Sequence, residues 1–272
     1  MLARVTSKIF SRRQDQAYKS YESFEAALAD SNSYEDPRLI EVVKEKTKRY
    51  RESLAASRSR VIETRQTVQN MFVLSYVEPE LPVNVLEVGG ACGAACFEMQ
   101  MLLPARIRHW AIVETPAMAS AGESSIRDPL ISFHSDHTSA AEALDESDLI
   151  IAQGVLQYAP DPVQMLRDLF ALDFSFVYIT RTAVSNHDTP IFIRQETDLS
   201  AHGPGALPNA PTGKSTQPLT LVSFNSLVSV VPPTYEVLFN FSESPERTLS
   251  IDTRPIKVRD VGFLAHNHSL QS

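Results

Sequence analysis

A chain of 272 residues with 43% hydrophobic and 21% charged residues has the composition of an ordinary globular protein, long enough for one large α/β domain with an N-terminal extension or for two modest domains. Its formal net charge of −8 argues against a nucleic-acid backbone as the main partner, because counterion release requires a basic face, and small or neutral substrates fit better. No apolar run reaches the roughly 18 residues of a membrane span, and Met1 to Arg13 lacks the apolar core of a secretory signal, so a cytoplasmic protein is expected.

In chain order, Tyr18 to Asp30 reads as a short helix with Tyr21, Phe24 and Leu28 on one stripe. Asp36-Pro37 then supplies an N-cap and a proline at the first helical position. Leu39, Val42, Val43, Lys46, Tyr50 and Leu54 repeat behind it as one long amphipathic helix. Val61, Ile62, Arg65, Val68, Phe72 and Val73 suggest another helix, ended by Pro79 and Pro82. Residues 1–80 are therefore expected to form a helical cap ahead of the main domain, 81–272.

That domain begins with the stretch that carries most information. Val83, Val85, Leu86 and Val88 form a strand covered on both faces, interrupted by Glu87, a charge whose burial requires a partner. Gly89, Gly90 and Gly93, with Ala91 among them, make a turn that lets a ligand approach the backbone, and the helical segment from Ala94 aims its first amide groups back at it. A second strand, His109 to Val113, ends at Glu114, about 20 residues past the glycines, where an acid reaches a ribose diol in nucleoside sites. The only cysteines, Cys92 in this turn and Cys96 just after it, read as small packing residues of a reduced protein.

Pro116 starts a helix to Ser125, and Leu130 to His134 is a third strand, followed by Ser135 and Asp136. Asp148 to Ala152 is a fourth, followed by Gln153-Gly154-Val155-Leu156-Gln157-Tyr158. Asp161-Pro162 caps a helix to Leu172, and Phe174 to Thr180 is a fifth strand ending at Arg181. Between 185 and 218 glycine and proline crowd the text, and one long loop or lid is expected there. Ser223 to Val231 reads as a short helix, and Tyr235 to Phe241 and Val258 to Ala265 as two further strands.

The pattern E-x-G-x-A-x-G at Glu87 to Gly93, with V-E at Val113-Glu114, resembles motifs I and II of class I S-adenosylmethionine-dependent methyltransferases. With W-x-x-V-E-x-P, V-L-Q-Y and I-T-R-T it is similar, from about Tyr18 to Ala265, to a bacterial methyltransferase group often associated with surface-polysaccharide gene clusters. The resemblance implies a Rossmann-like doubly wound sheet of about seven strands, mostly parallel, with an antiparallel C-terminal strand. It implies S-adenosylmethionine bound by Glu87, Gly89, Gly90, Ala91, Gly93 and Glu114, with Ser135 and Asp136 at the adenine and Gln153, Gly154 and Val155 closing over the cofactor. A turn-forming aspartate is the alternative for Asp136. Ala91 replaces the family's central glycine, and the 185–218 segment departs from the aromatic stretch expected of the group.

Methyl transfer mainly requires alignment, and a base only when the acceptor is protonated. His187 and Asp188, beyond the fifth strand, are the candidate bases, with solvated loop residues as the alternative. Arg181 either holds an anionic acceptor or pairs with a carboxylate at the sheet edge. No metal-ligand spacing occurs. The expected activity is methyl transfer to a small-molecule or glycan-linked acceptor, at oxygen in preference to nitrogen. Its rivals are a nicotinamide-dependent oxidoreductase or epimerase and a catalytically inactive methyltransferase-like binding subunit.

Overall fold

The computed structural model describes residues 17–56, 65–77 and 81–270. Strands β1 (Ala17–Tyr18) and β2 (Ser20–Tyr21) precede helices α1 (Phe24–Ala29), α2 (Pro37–Ala56) and α3 (Arg65–Val77). Next come β3 (Val83–Val88), α4 (Ala94–Leu102), β4 (Ile107–Val113), α5 (Pro116–Ser125), β5 (Ile131–His134), α6 (His137–Glu142) and β6 (Leu149–Gln153). The remainder holds α7 (Pro162–Phe170), β7 (Phe176–Ser185), β8 (Ile191–Asp198), β9 (Lys214–Ser223), α8 (Phe224–Val228), β10 (Tyr235–Ser242), β11 (Arg247–Ile251) and β12 (Arg254–Asn267). The fold is mixed α/β and Rossmann-like, with strands and helices alternating from Val83 to Phe176 as parallel pairing demands.

Two compact units share the chain. The first takes residues 34–149 and 198–213, the second, among the described residues, 17–33, 150–197 and 214–270. In the first unit β3, β4 and β5 are parallel neighbours, with Glu87 opposite Ile112 and Val113 opposite His134. Trp110, Ile112 and Leu86 are fully buried. Helix α2 forms because Pro37 fits its first turn while the buried Asp36 accepts the Arg38 backbone N–H at 2.9 Å. It buries Leu39, Val42, Val43 and Lys46. Leu39 and Val43 join Cys92, Phe97, Met118 and Leu199 in one core, so α2 and the segment beginning at Leu199 pack against the helix that follows the glycine turn.

In the second unit β12 runs antiparallel to β7, β10 and β11, which supplies the C-terminal antiparallel addition expected from sequence. The neighbours run β1-β11-β12-β7-β6, and β9 pairs with both β7 and β8. Asp161 caps α7 by accepting the N–H groups of Val163 and Gln164 at 3.0 and 2.9 Å.

Several expectations change. Twelve strands occur among the described residues rather than about seven, the excess being in the second unit. Tyr18 to Asp30 is two short strands and a six-residue helix, because Ser23 caps α1 and ends any helix before it. Residues 1–80, expected as a cap, give β1, β2 and α1 to the second unit and α2 and α3 to the first; Met1 to Arg13, Val61, Ile62 and Pro79 lie outside the described residues. The 185–218 segment is not one loop: β8 and the start of β9 occupy it, with irregular chain around 202–213. Ile193 and Gln195 are buried while their neighbours are more exposed, a period of two that the glycines and prolines further on obscure.

Candidate functional site

The β3 turn is built around two carboxylates on one sheet face. Glu87 stands opposite Ile112, and side chains alternate along a strand, so Trp110, Ile112 and Glu114 all project to the Glu87 side. Glu87 is 3% exposed, and the Trp110 indole Nε1–H donates to its Oε2 at 2.8 Å. Burial, with the Glu114 charge as a lesser cause, raises the Glu87 carboxyl to about 7. Its carboxylate lies so close to Gly90 that a Cβ there would stand 2.5 Å from Oε2, which is why that position must be glycine.

Glu114 does different work. It accepts the backbone N–H of Ala91 on Oε1 at 2.8 Å and that of Thr115 on Oε2 at 3.1 Å. Each oxygen keeps a further lone pair, and the residue is only half-buried. Burial raises its carboxyl, against the lowering effect of those two amides. Gly89, Ala91 and Gly93 all have positive φ, at 75°, 52° and 85°, so Ala91 adopts a backbone that costs an alanine about 1 kcal/mol more than a glycine. Glu114 therefore keeps acceptor capacity beside a turn nearly bare of side chains, which Glu87 supports from within, and these are the residues that could hold a nucleoside.

Cys92 and Cys96 are buried free thiols, Cys92 pushed up to about 12 by burial, with its sulfur 3.8 Å from that of Met118. Asp136 caps α6 by accepting the Ser139 N–H at 2.8 Å, and its carboxyl is held down chiefly by that bond; Ser135 is exposed beside it. On the other face of the sheet His109 and His134 each place Nε2 2.9 Å from the Ser132 hydroxyl. A depression of about 340 Å³ lined by Pro104, Ile107 and Leu130 lies at the opposite, N-terminal end of β4.

His202 has no role that its sequence context assigns. Its ring meets Tyr34 edge-on, centroids 6.3 Å apart, and burial depresses it to about 4. The buried Lys46 ammonium donates to the carbonyls of Ser200 at 3.1 Å and His202 at 2.7 Å, fastening this segment to α2. A lysine within an apolar stripe is the one signal of this in the sequence.

In the second unit Gln153 ends β6, Gly154 has φ 64°, and its N–H donates to the Thr180 carbonyl at 2.8 Å. A 3-10 turn, Leu156–Tyr158, follows. Arg181, predicted just past the fifth strand, sits inside β7 with φ 55° at a register shift opposite Gly262. Left-handed backbone in a bulky residue costs on the order of 1–3 kcal/mol. Glu243 holds it there, accepting the Arg181 N–H on Oε2 at 2.6 Å and the Thr180 hydroxyl on Oε1. No sequence signal ties Glu243 to this bulge. A side chain on Gly262 would strike Phe241 and the Ile179 carbonyl, so glycine is needed opposite it. His187 and Asp188 lie in the exposed turn between β7 and β8; His187 contacts Thr189, and Asp188 borders a depression of about 220 Å³ with Pro160, Pro190, Phe192 and Thr220.

Among the described residues no group of three or more His, Cys, Asp or Glu converges as a metal set, and no helix is long and apolar enough to cross a membrane. No family model and no curated protein matches the chain. Solved structures do resemble it. The sugar N-methyltransferase KedS8 from Streptoalloteichus sp ATCC 53650 is 15% identical over 71% of this chain and 85% of its own, with a TM-score of 0.44. An S-adenosylmethionine-dependent methyltransferase from Clostridium acetobutylicum ATCC 824 is 10% identical over 75% of this chain and 92% of its own, TM-score 0.43.

Proposed function

We propose that this protein transfers a methyl group from S-adenosylmethionine to an oxygen of a small-molecule or glycan-linked acceptor. One observation carries the reading: Glu87 and Glu114 project from neighbouring parallel strands onto one face, on either side of a turn with three left-handed residues. The cofactor, when bound, supplies a sulfonium methyl group already poised for displacement. Glu114 accepts the ribose hydroxyls on its unused lone pairs while it keeps the Ala91 and Thr115 amides in place. Glu87, tied to Trp110, acts from beneath the turn rather than on the ligand directly. Gly89, Gly90, Ala91 and Gly93 give the cofactor close approach, and Ser135 and Asp136 the adenine edge. His187 and Asp188 stay the candidate bases for a protonated acceptor, and Asp188 borders a depression within the second unit. The chemistry otherwise is alignment and exclusion of water.

Glu87 ahead of Gly89 and the antiparallel β12 beside β7 favour this reading over a nicotinamide enzyme. Calorimetry decides it. Binding of S-adenosylhomocysteine and not of NAD is expected, and the reverse result rejects the proposal. Failure of both at millimolar concentration favours the inactive binding subunit.

A further inference from the structure

Two imidazoles meet at one hydroxyl on the face of the first unit's sheet that points away from Glu87. His109 belongs to β4, while Ser132 and His134 lie two residues apart on β5, opposite Ala111 and Val113, so all three share one face. Each Nε2 is 2.9 Å from the Ser132 Oγ. All three side chains are half-buried, and β5 is the last strand at this end of the sheet's order.

Hydrogen bonding alone does not call for the second ring. A hydroxyl has one proton, so Ser132 donates to one Nε2 and accepts an N–H from the other, and a single histidine would satisfy it. The spacing matches another kind of partner. Ligand atoms on adjacent vertices around a metal at about 2.0–2.1 Å stand about 2.9 Å apart in an octahedral shell and about 3.4 Å apart in a tetrahedral one. The surroundings favour a cation, since the Asp145 carboxylate acts on His109 and those of Asp136 and Glu123 on His134. Burial nonetheless lowers both rings below the usual imidazole range, which keeps them in the neutral form that ligates.

We propose that His109, Ser132 and His134 bind a divalent transition metal, zinc or nickel in preference to magnesium or calcium, with water completing its shell. Two imidazoles are fewer protein ligands than a closed structural site uses, so the metal exchanges with solution. Both rings take the Nδ1–H tautomer and the serine proton turns outward, so binding changes one ring's tautomer and releases no proton from either. The metal fastens β5 to β4 beside Glu114, whose N–H donates to the His134 carbonyl at 3.0 Å. Methyl transfer is not a premise here, because the metal acts as a clamp between strands and enters no step of the reaction.

Zinc titration of the full chain, stripped of metal by a chelator, tests this by calorimetry, with magnesium as the control. Saturable zinc binding is expected, and the melting temperature should climb with zinc concentration. His109→Gln and His134→Gln should each lose at least tenfold in zinc affinity together with that climb, whereas Ser132→Ala keeps both imidazoles and should lose less than either. Should a histidine variant fail to fold, diethyl pyrocarbonate labelling of the unaltered chain decides the matter: zinc must protect His109 and His134, and labelling undiminished by zinc overturns the site. No saturation by zinc up to millimolar concentration, equal binding of magnesium, or unchanged zinc affinity in both histidine variants overturns it as well.

Discussion

The glycine turn after β3 and the bulge in β7 solve one problem twice. Each holds a non-glycine residue in the left-handed region, Ala91 at 52° and Arg181 at 55°, and each does so with a carboxylate that accepts that residue's own N–H. They differ in where the carboxylate comes from. Glu114 ends the neighbouring parallel strand 23 residues away, whereas Glu243 arrives from 62 residues along the chain, beyond β10. A parallel βαβ unit brings its own second acid to the turn, so one short pattern encodes the whole device. The second device depends on an antiparallel addition, and nothing local announces it.

The sharpest way to break the comparison lies beneath the first turn, where Glu87 has no counterpart at the bulge. Its carboxyl rises from 4.5 to about 7, so the folded state binds the extra proton. The stability this adds is complete below pH 4.5 and is lost as pH climbs through 7, a change of roughly 3 kcal/mol. Urea unfolding between pH 5 and 8 should show that decline, and Glu87→Gln should flatten it. A pH-independent midpoint in the unaltered protein contradicts a neutral Glu87 in the fold.

Next in size is Glu114→Ala, which should weaken S-adenosylhomocysteine binding by roughly 1.5 to 3 kcal/mol in calorimetry, since it removes a charge-assisted acceptor and frees two amides. Undiminished affinity would take the ribose role away from Glu114. At the other device, Glu243→Ala should lower unfolding stability by about 1 to 3 kcal/mol through two orphaned donors, read from the urea midpoint. A neutral result would show that solvent replaces the carboxylate without loss. The smallest effect belongs to Ala91→Gly, expected to add about 1 kcal/mol to stability because the turn already has glycine geometry. Destabilisation by that substitution would mean that the alanine methyl matters to the core beside Cys92.

The same contrast explains what can be read in the chain. The β3–β6 alternation, α2 with its Asp36-Pro37 start, and the two acids around the glycines are local patterns, carried by periodicity and turn chemistry, and they are legible. Burial of Lys46 in the α2 stripe is visible as a spacing but not as a purpose, because its partners, the Ser200 and His202 carbonyls, are backbone groups with no sequence signature. Strands β8 and β9 are hidden by composition: Pro218 and the 203–213 glycines and prolines speak for a loop, while the burial of Ser215 to Val222 depends on pairing with β7 and β8. Asp136 reads from sequence as a turn former as readily as an adenine contact, and the structure gives its carboxylate to Ser139.

Fastening by Lys46 has a practical consequence. An ammonium enclosed by two carbonyls is shielded from acylating reagents, whereas Lys257 is exposed. In a timed labelling experiment read by mass spectrometry, the delay before Lys46 reacts would therefore act as a clock for how often the 199–203 segment lifts from its helix.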